Sequence, residues 1–292
     1  MIPPSPLRGV LLFAAATAVL AMMDVSAKHL GATLPAEQIA WSRYFGQTLA
    51  MLALFAPKRG LALLSTRRPW LHLWRSALML ACTLLFFNAI RMMPLADAVA
   101  ISFLSPLLLV ALAALLLKER VGVRRWSAVA VGFLGAMIIV RPGMGVASWG
   151  AALVLVMCLT YALYLVATRI AAADGEDSIV SLFYTGLVGA AALTVWTPFV
   201  WVTPATSFDA ALFAILGLFG GVGHYLIILA YRDAQAAALA PLNYLSLIWA
   251  VGFGWLVFGN FPDGPTLLGA AIVAAAGIYV ILRERRLKEA VG

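Results

Sequence analysis

Residues 95–117 read LADAVAISFLSPLLLVALAALLL. After Asp97, no ionisable residue appears until Lys118. About 20 apolar residues are what an α-helix needs to cross the hydrocarbon core of a bilayer. The stretch therefore reads as a membrane span, with Pro106 in its interior. The rest of the chain agrees. Of its 292 residues, 64% are hydrophobic and 11% charged, against about 45–50% and about 25% in soluble domains. So few charges cannot cover a soluble surface of this size. That excludes a soluble enzyme, a secreted disulfide scaffold and a disordered chain.

Nine further apolar segments run at approximately 8–28, 36–56, 70–91, 124–140, 149–170, 178–201, 208–231, 235–257 and 265–283. With 95–117 they predict an all-α integral membrane protein of ten transmembrane helices. The connections are short, so residues 1–292 form a single transmembrane domain. Arg8 and Ala16-Thr17-Ala18 imitate a signal peptide. In an alanine-rich helix that match is expected by chance, and the segment is kept as the first span. The net charge of +8 does not imply nucleic acid, because the cations sit in short clusters between apolar runs, a topology signal. Cys82 and Cys158 lie inside apolar runs, without the neighbours of a metal or redox motif, and read as packing residues. No metal or cofactor is expected.

Counted by loop, fifteen Lys and Arg fall on one side of the membrane. Three fall on the other: Lys28, Arg91 and Arg141. Arg43 and Arg75 lie within helices. The bias places both termini in the cytoplasm and makes the number of spans even.

A shift of 141 residues aligns the chain with itself. Pro57 meets Pro198, Ala89-Ile90-Arg91 meets Ala230-Tyr231-Arg232, and Leu104-Ser105 meets Leu245-Ser246. Near the end the shift is 142, so Gly135 meets Gly277 and Arg141 meets Arg283. The pattern predicts two five-helix repeats, about 8–141 and about 149–283. Five is odd, so the second copy is inverted, an architecture recurrent in transporters with a site near the midplane.

The run Leu95-Ala96-Asp97-Ala98 through Leu104-Ser105-Pro106, then Lys118-Glu119-Arg120-Val121, then Gly132 and Gly135, resembles the first half of an EamA-type member of the drug/metabolite transporter superfamily. The resemblance extends over residues 8–285. It implies ten helices, a bacterial inner-membrane location and transport of small metabolites. The second half departs from the pattern, with Leu247 and Asn260 where the family often has Pro and Glu.

Ionisable and amide side chains within spans are functional candidates by default. Asp24 has Lys28 one turn further along its helix, at ion-pair spacing. Arg43 enters the second span to a similar depth, with Gln47 one turn deeper. The four form a predicted polar cluster, read either as a structural tie between the first two spans or as a gate or clamp on substrate. Arg75 stands five residues inside the third span and is read as an interfacial anchor. His224, in Gly220-Gly221-Val222-Gly223-His224-Tyr225, is either a packing residue or a proton relay, His being the side chain that titrates nearest neutral pH. Asn88, Asn243 and Tyr244 add polar groups at depth. Tyr161, Tyr164, Trp249 and Trp255 add amphipathic rings. Pro106 and Pro241 are candidate hinges. Gly132, Gly135, Gly269 and Gly277 permit close helix packing, which can include a homodimer face.

These residues predict a secondary transporter. No nucleotide-binding motif is present, so ATP does not drive it directly. Coupling to protons through Asp24 or His224 and facilitated exchange both fit. The resemblance implies exporters of amino acids and related metabolites or importers of vitamins and nucleotide-like compounds, and since Asp24 with Arg43 suits a zwitterion, the reading leans to export of amino-acid-like compounds. The alternative is import of a vitamin or nucleotide-like metabolite, which the aromatic content suits. An intramembrane enzyme is the distant alternative. His-Glu-x-x-His and Gly-x-Ser-x-Gly motifs are absent from the sequence, as is a nucleophile–base pair at helical spacing. The expected partners are a small-molecule substrate and the lipid bilayer.

Overall fold

The computed structural model of the chain describes residues 6–116, 122–141, 147–234 and 239–289. The Lys118–Val121 motif and residues 235–238, where the ninth predicted span begins, lie outside them. The described residues form helices and loops without a strand. In chain order the α-helices are α1 (Pro6–Leu30), α2 (Ala36–Arg59), α3 (Pro69–Met92), α4 (Leu95–Ser102), α5 (Leu104–Leu116), α6 (Val123–Val140), α7 (Ala147–Ala173), α8 (Ser178–Trp196), α9 (Ser207–Asp233), α10 (Leu245–Phe258) and α11 (Gly264–Glu289). Among the described residues, eight helical stretches are long and apolar enough to cross a membrane, with α4 and α5 counted together as Leu95–Leu116. The apolar part of α6, Trp126–Val140, is shorter. The second predicted span, α2, has the length, with 24 residues, but Glu37, Gln38, Arg43, Gln47, Lys58 and Arg59 make it too polar to count by composition.

Local signals set the helix ends. Pro35 and Pro94 precede α2 and α4, and Pro69 opens α3, where its missing N–H is no loss. Asp177 caps α8 by accepting from the Ile179 N–H at 2.7 Å, and Thr206 caps α9 by accepting from the Asp209 N–H at 3.0 Å. Such caps satisfy N–H groups that a helix start leaves open. Gly259 ends α10 in the left-handed region at φ 69°, which costs glycine little.

The helices pack pairwise: α1 on α9, α3 on α7, and α6 on α11. Helix α2 lies between α8 and α9, and α3 also touches α8. Helix α7 flanks α4 and α5, α1 flanks α10, and α10 meets α4. Glycines bring some of these backbones into direct contact. A Cβ added at Gly46 would stand 2.7 Å from the Gly217 Cα, and one at Gly217 would stand 2.5 Å from the Gly46 Cα. Across α6 and α11, a Cβ at Gly135 or Gly269 would press on the other's carbonyl, at 3.0 and 2.6 Å. Within a bilayer, where burying apolar surface from lipid gains little, such approach is how helices associate.

At the amino-terminal end, where α1 begins, Arg8 pairs with Asp233 at 3.3 Å. Here the Arg75 anchor reading is corrected. Arg75 is only 2% exposed. It donates to the Tyr164 and Thr185 hydroxyls at 3.1 and 3.0 Å and to the Ser181 carbonyl. It thus ties α3 to α7 and α8. The interfacial reading fails because α7 and α8 cover this face of α3 and supply polar partners within hydrogen-bond reach. Beside it, buried His72 contacts Glu176 at 3.2 Å, and Glu176 also accepts from Thr66 and the Arg67 N–H. Burial alone would raise the Glu176 pKa, but the hydrogen bonds from His72, Thr66 and Arg67 outweigh it and hold the carboxyl below its ordinary range. At the far end, Arg141 bonds to Asp263 at 2.5 Å. That bond, with those from the Thr266 backbone and hydroxyl, holds the Asp263 carboxyl far below the ordinary range.

Candidate functional site

Helices α4 and α5 are one apolar span interrupted at Phe103. Pro106 explains the break. It lacks the N–H that would reach the carbonyl of Ser102, and its ring crowds that carbonyl. The thiol of Cys158 on α7 approaches the carbonyls of Ile101 and Ser102, at 3.5 and 3.8 Å, as a weak donor. Before α10 the chain makes a short 3-10 turn, Ala240–Tyr244, with Pro241 inside it. The rings of Phe103 and Tyr244, each at the junction of its broken span, stack with centroids 4.6 Å apart and planes at 23°.

Three adjoining cavities surround this junction, and Ser102 and Tyr161 line all three. One, ≈ 260 Å³, lies among Asp24, Arg43, Thr83, Phe86, Ser105 and Tyr161. The next, ≈ 270 Å³, adds His224 and Asn243 to Asp24. The third, ≈ 410 Å³, runs past Pro106, Leu165, Tyr244 and Ile281 to Tyr231, two residues from the end of α9. Together they make a chamber that extends towards the amino-terminal end.

Arg43 dominates its polar pole. Only 5% exposed, it donates through one terminal nitrogen to the Thr83 hydroxyl, and its guanidinium lies 4.9 Å from the Tyr44 ring centroid. Tyr44 also shares a hydrogen bond with Thr83 at 2.6 Å. Among the described residues, the Arg43 Nε has no hydrogen-bond partner. Ser105 Oγ, on the same cavity, is likewise unpartnered. Among the described residues, no nitrogen–oxygen contact within 4.0 Å joins Asp24 to Arg43 or to Lys28. A carboxylate and a guanidinium thus face one cavity without neutralising each other by contact.

The other predicted residues divide by helix face. His224 donates through Nδ1 to the Gly220 carbonyl at 2.8 Å and lines the chamber with Asp24, Asn243 and Tyr244. Gln47 instead packs against Gly186, Gly220 and Gly221, and its amide nitrogen is unpartnered. Asn88 bonds back to the Leu84 carbonyl of its own helix at 2.8 Å. Tyr225 turns from the chamber to meet Phe55 edge-on at 5.7 Å. Trp249 lines none of the three cavities, but it donates at 3.3 Å to the hydroxyl of Thr17, which lines the ≈ 270 Å³ one. Thr83, Phe86, Ser102 and Ser105 were not singled out by the sequence. The two serines flank the break at Phe103, which is the signal that finds them.

A helical bundle with a polar-poled chamber at its centre, walled by membrane-length helices, defines a multi-pass membrane protein built to hold a small molecule. The EamA-like transporter family matches twice, at residues 7–141 and 148–283, and the chain belongs to that family. Among its relatives is the riboflavin transporter of Rhizobium johnstonii, 33% identical over 80% of this chain and 76% of that protein. The S-adenosylmethionine uptake transporter of Rickettsia prowazekii is 27% identical over 96% and 94%. The pseudopaline exporter CntI of Pseudomonas aeruginosa is 29% identical over 92% and 94%. A solved crystal structure, 18% identical, aligns with a TM-score of 0.65 over 96% of this chain and 98% of that one.

Proposed function

We propose that the protein is a secondary transporter that carries an amino-acid-like metabolite across the bacterial inner membrane by alternating access. In this reading its ten helices form one domain of two inverted repeats, about 8–141 and about 149–283, with both termini in the cytoplasm. The observation that carries the proposal is the unneutralised pair Asp24 and Arg43 on one central cavity. Removing ions from water without a direct partner is costly. The arrangement becomes favourable when a ligand brings an ammonium to Asp24 and a carboxylate to Arg43.

Several features support the inverted repeat. The family matches once per half. Phe103 and Tyr244, which stack on one another, are counterparts under the shift of 141. Helix pairing is reciprocal: α1 on α9 answers α7 on α3. Pro106 and Pro241 then act as hinges, one per half. Asp24 and His224, on the same part of the chamber, are the candidates for proton coupling.

The second reading, uptake of a vitamin or nucleotide-like compound, is favoured by the named relatives and by the rings of Phe86, Tyr161 and Tyr244 on the walls. The relatives include importers and an exporter, so transport in either direction fits. S-Adenosylmethionine unites an amino-acid zwitterion with a flat purine and would satisfy both walls. Flux of phenylalanine, S-adenosylmethionine and riboflavin into proteoliposomes tests the readings. Flux of a zwitterion that Arg43→Ala abolishes is expected. Flux of riboflavin alone would turn the assignment to the second reading, and no flux of any of the three would overturn the amino-acid assignment.

A further inference from the structure

We propose that Lys28 and Arg91 form a clamp that closes the far end of the chamber, and that Arg169 and Arg232 form its counterpart, closing the amino-terminal end in the opposite conformation. The inference rests on the inverted repeat and alternating access proposed above.

The far-end clamp is visible in the contacts. Lys28 Nζ on α1 donates to the carbonyls of Ile90 and Met93, at the end of α3, at 2.5 and 2.7 Å. Arg91 Nε on α3 donates to the Gly31 carbonyl, just past the end of α1, at 2.8 Å. A helix's last carbonyls lack partners within the helix, and they carry the negative end of its dipole. Here each helix receives the other's cation at that end. Lys28 and Arg91 also line a separate ≈ 430 Å³ recess at the far end, with His29 and Asp209. One turn of α1 separates Lys28 from Asp24, where the chamber begins. The clamp therefore stands between recess and chamber. It also accounts for two of the three cations that break the charge asymmetry of the loops, a placement that topology alone disfavours.

The repeat projects this arrangement onto the other end. A shift of 141 carries Lys28 to Arg169, Arg91 to Arg232, Gly31 to Ala172, Ile90 to Tyr231 and Met93 to Ala234. Both cations return as cations, and each helix end returns as a helix end, now of α7 and α9. Leu165, one turn before Arg169, and Tyr231, beside Arg232, line the same ≈ 410 Å³ space. The far-end contacts are made, while at the other end a cavity reaches the level of Leu165 and Tyr231. In the opposite conformation Arg169 donates to the carbonyls of Tyr231 and Ala234, and Arg232 to that of Ala172.

The test reads which face reaches the chamber. Ser102→Cys places a thiol on all three cavities in a Cys82→Ala/Cys158→Ala background. Labelling by a membrane-impermeant maleimide is then compared in vesicles of both orientations. Lys28→Ala and Arg91→Ala should raise labelling from the far face and lower it from the other, shifting the ratio by about tenfold, the scale of a lost charge-assisted hydrogen bond. Arg169→Ala and Arg232→Ala should shift it the other way. An unchanged ratio in all four, or increased labelling from both faces, overturns the clamp. If Lys28→Ala does not accumulate, Arg91→Ala carries the test, and Lys28→Arg, which keeps the donors, should label as wild type. Flux of S-adenosylmethionine and riboflavin is measured in the same vesicles. Wild-type flux with unshifted ratios removes the clamp alone. Shifted ratios with no wild-type flux of either compound leave the clamp and count against the transport reading.

Discussion

Helices α2 and α10 invert the rule that holds in water. Helix α2 fails a composition test for a membrane span, yet Gln38, Ser42, Arg43 and Gln47 on it are all buried. The stretch Pro241–Phe258, which contains α10, passes that test, yet only 11% of it is buried, and Ile248, Trp255 and Leu256 are exposed. Lipid is as apolar as leucine, so an apolar helix gains little by hiding. A polar one must be enclosed by partners that satisfy it. In this protein polarity marks the interior, and the interior is where the chamber lies.

The sharpest way to break this contrast is Arg43→Ala. We expect transport to fall at least about 100-fold, with a loss of about 1.5–3 kcal/mol in stability from removing the charged donor to the Thr83 hydroxyl. Flux at the wild-type level would remove the Asp24–Arg43 site. The double exchange Asp24→Arg with Arg43→Asp should not regain flux, because the ligand would meet the wrong charge at each end. Arg75→Ala comes next. It takes a cation from the Ser181 carbonyl and three hydroxyls, and should cost about 2–3 kcal/mol in thermal unfolding. What folds should keep the wild-type substrate affinity, since Arg75 lines none of the three cavities.

Glu176 gives a smaller effect that depends on pH. Its folded carboxyl titrates below the ordinary range, so its stabilising contribution is present at neutral pH. That contribution is lost as pH falls from the ordinary carboxylate range through the lowered folded value. Glu176→Gln should flatten this acid limb in unfolding measured against pH, and an unchanged limb would show that other carboxylates set it. Smallest of all is Trp255→Ala on α10, with Trp255 58% exposed. We expect a stability change within about 0.5 kcal/mol and unaltered flux. A large loss there would mean that α10 meets protein, not lipid.

Much of the architecture is legible in the sequence because apolar length is a local property. The predicted segments 36–56, 70–91 and 178–201 overlap α2, α3 and α8 closely, and the break at Phe103 follows from Pro106 alone. The site was harder to read because it depends on which face of a helix meets which neighbour. His224 and Tyr225 are adjacent in sequence, but each residue turns a helix by about 100°. One therefore reaches the chamber while the other meets Phe55. Lys28 has ion-pair spacing to Asp24, yet its flexible stem takes the carbonyls of Ile90 and Met93 instead. Only the packing of α1 against α3 brings those carbonyls within reach. Arg75 was misread for the same reason, since nothing in α3 announces Ser181 and Thr185 across the interface.

The interruption at Phe103 has a mechanical side. A continuous span from Leu95 to Leu116 would act as a single lever, so a tilt at one end would be carried rigidly to the other. Two shorter rods, α4 and α5, joined where a backbone bond is missing, can pivot separately. The rod that begins at Leu95 sits beside the tied ends of α1 and α3, while the rod that ends at Leu116 runs towards the amino-terminal end of the bundle. The 3-10 turn before α10 gives the other half of the molecule a joint of its own, and Phe103 and Tyr244 meet as the facing surfaces of the two joints. In the proposed alternation, movement at one end is then turned at these mid-membrane joints, so that one end closes as the other opens.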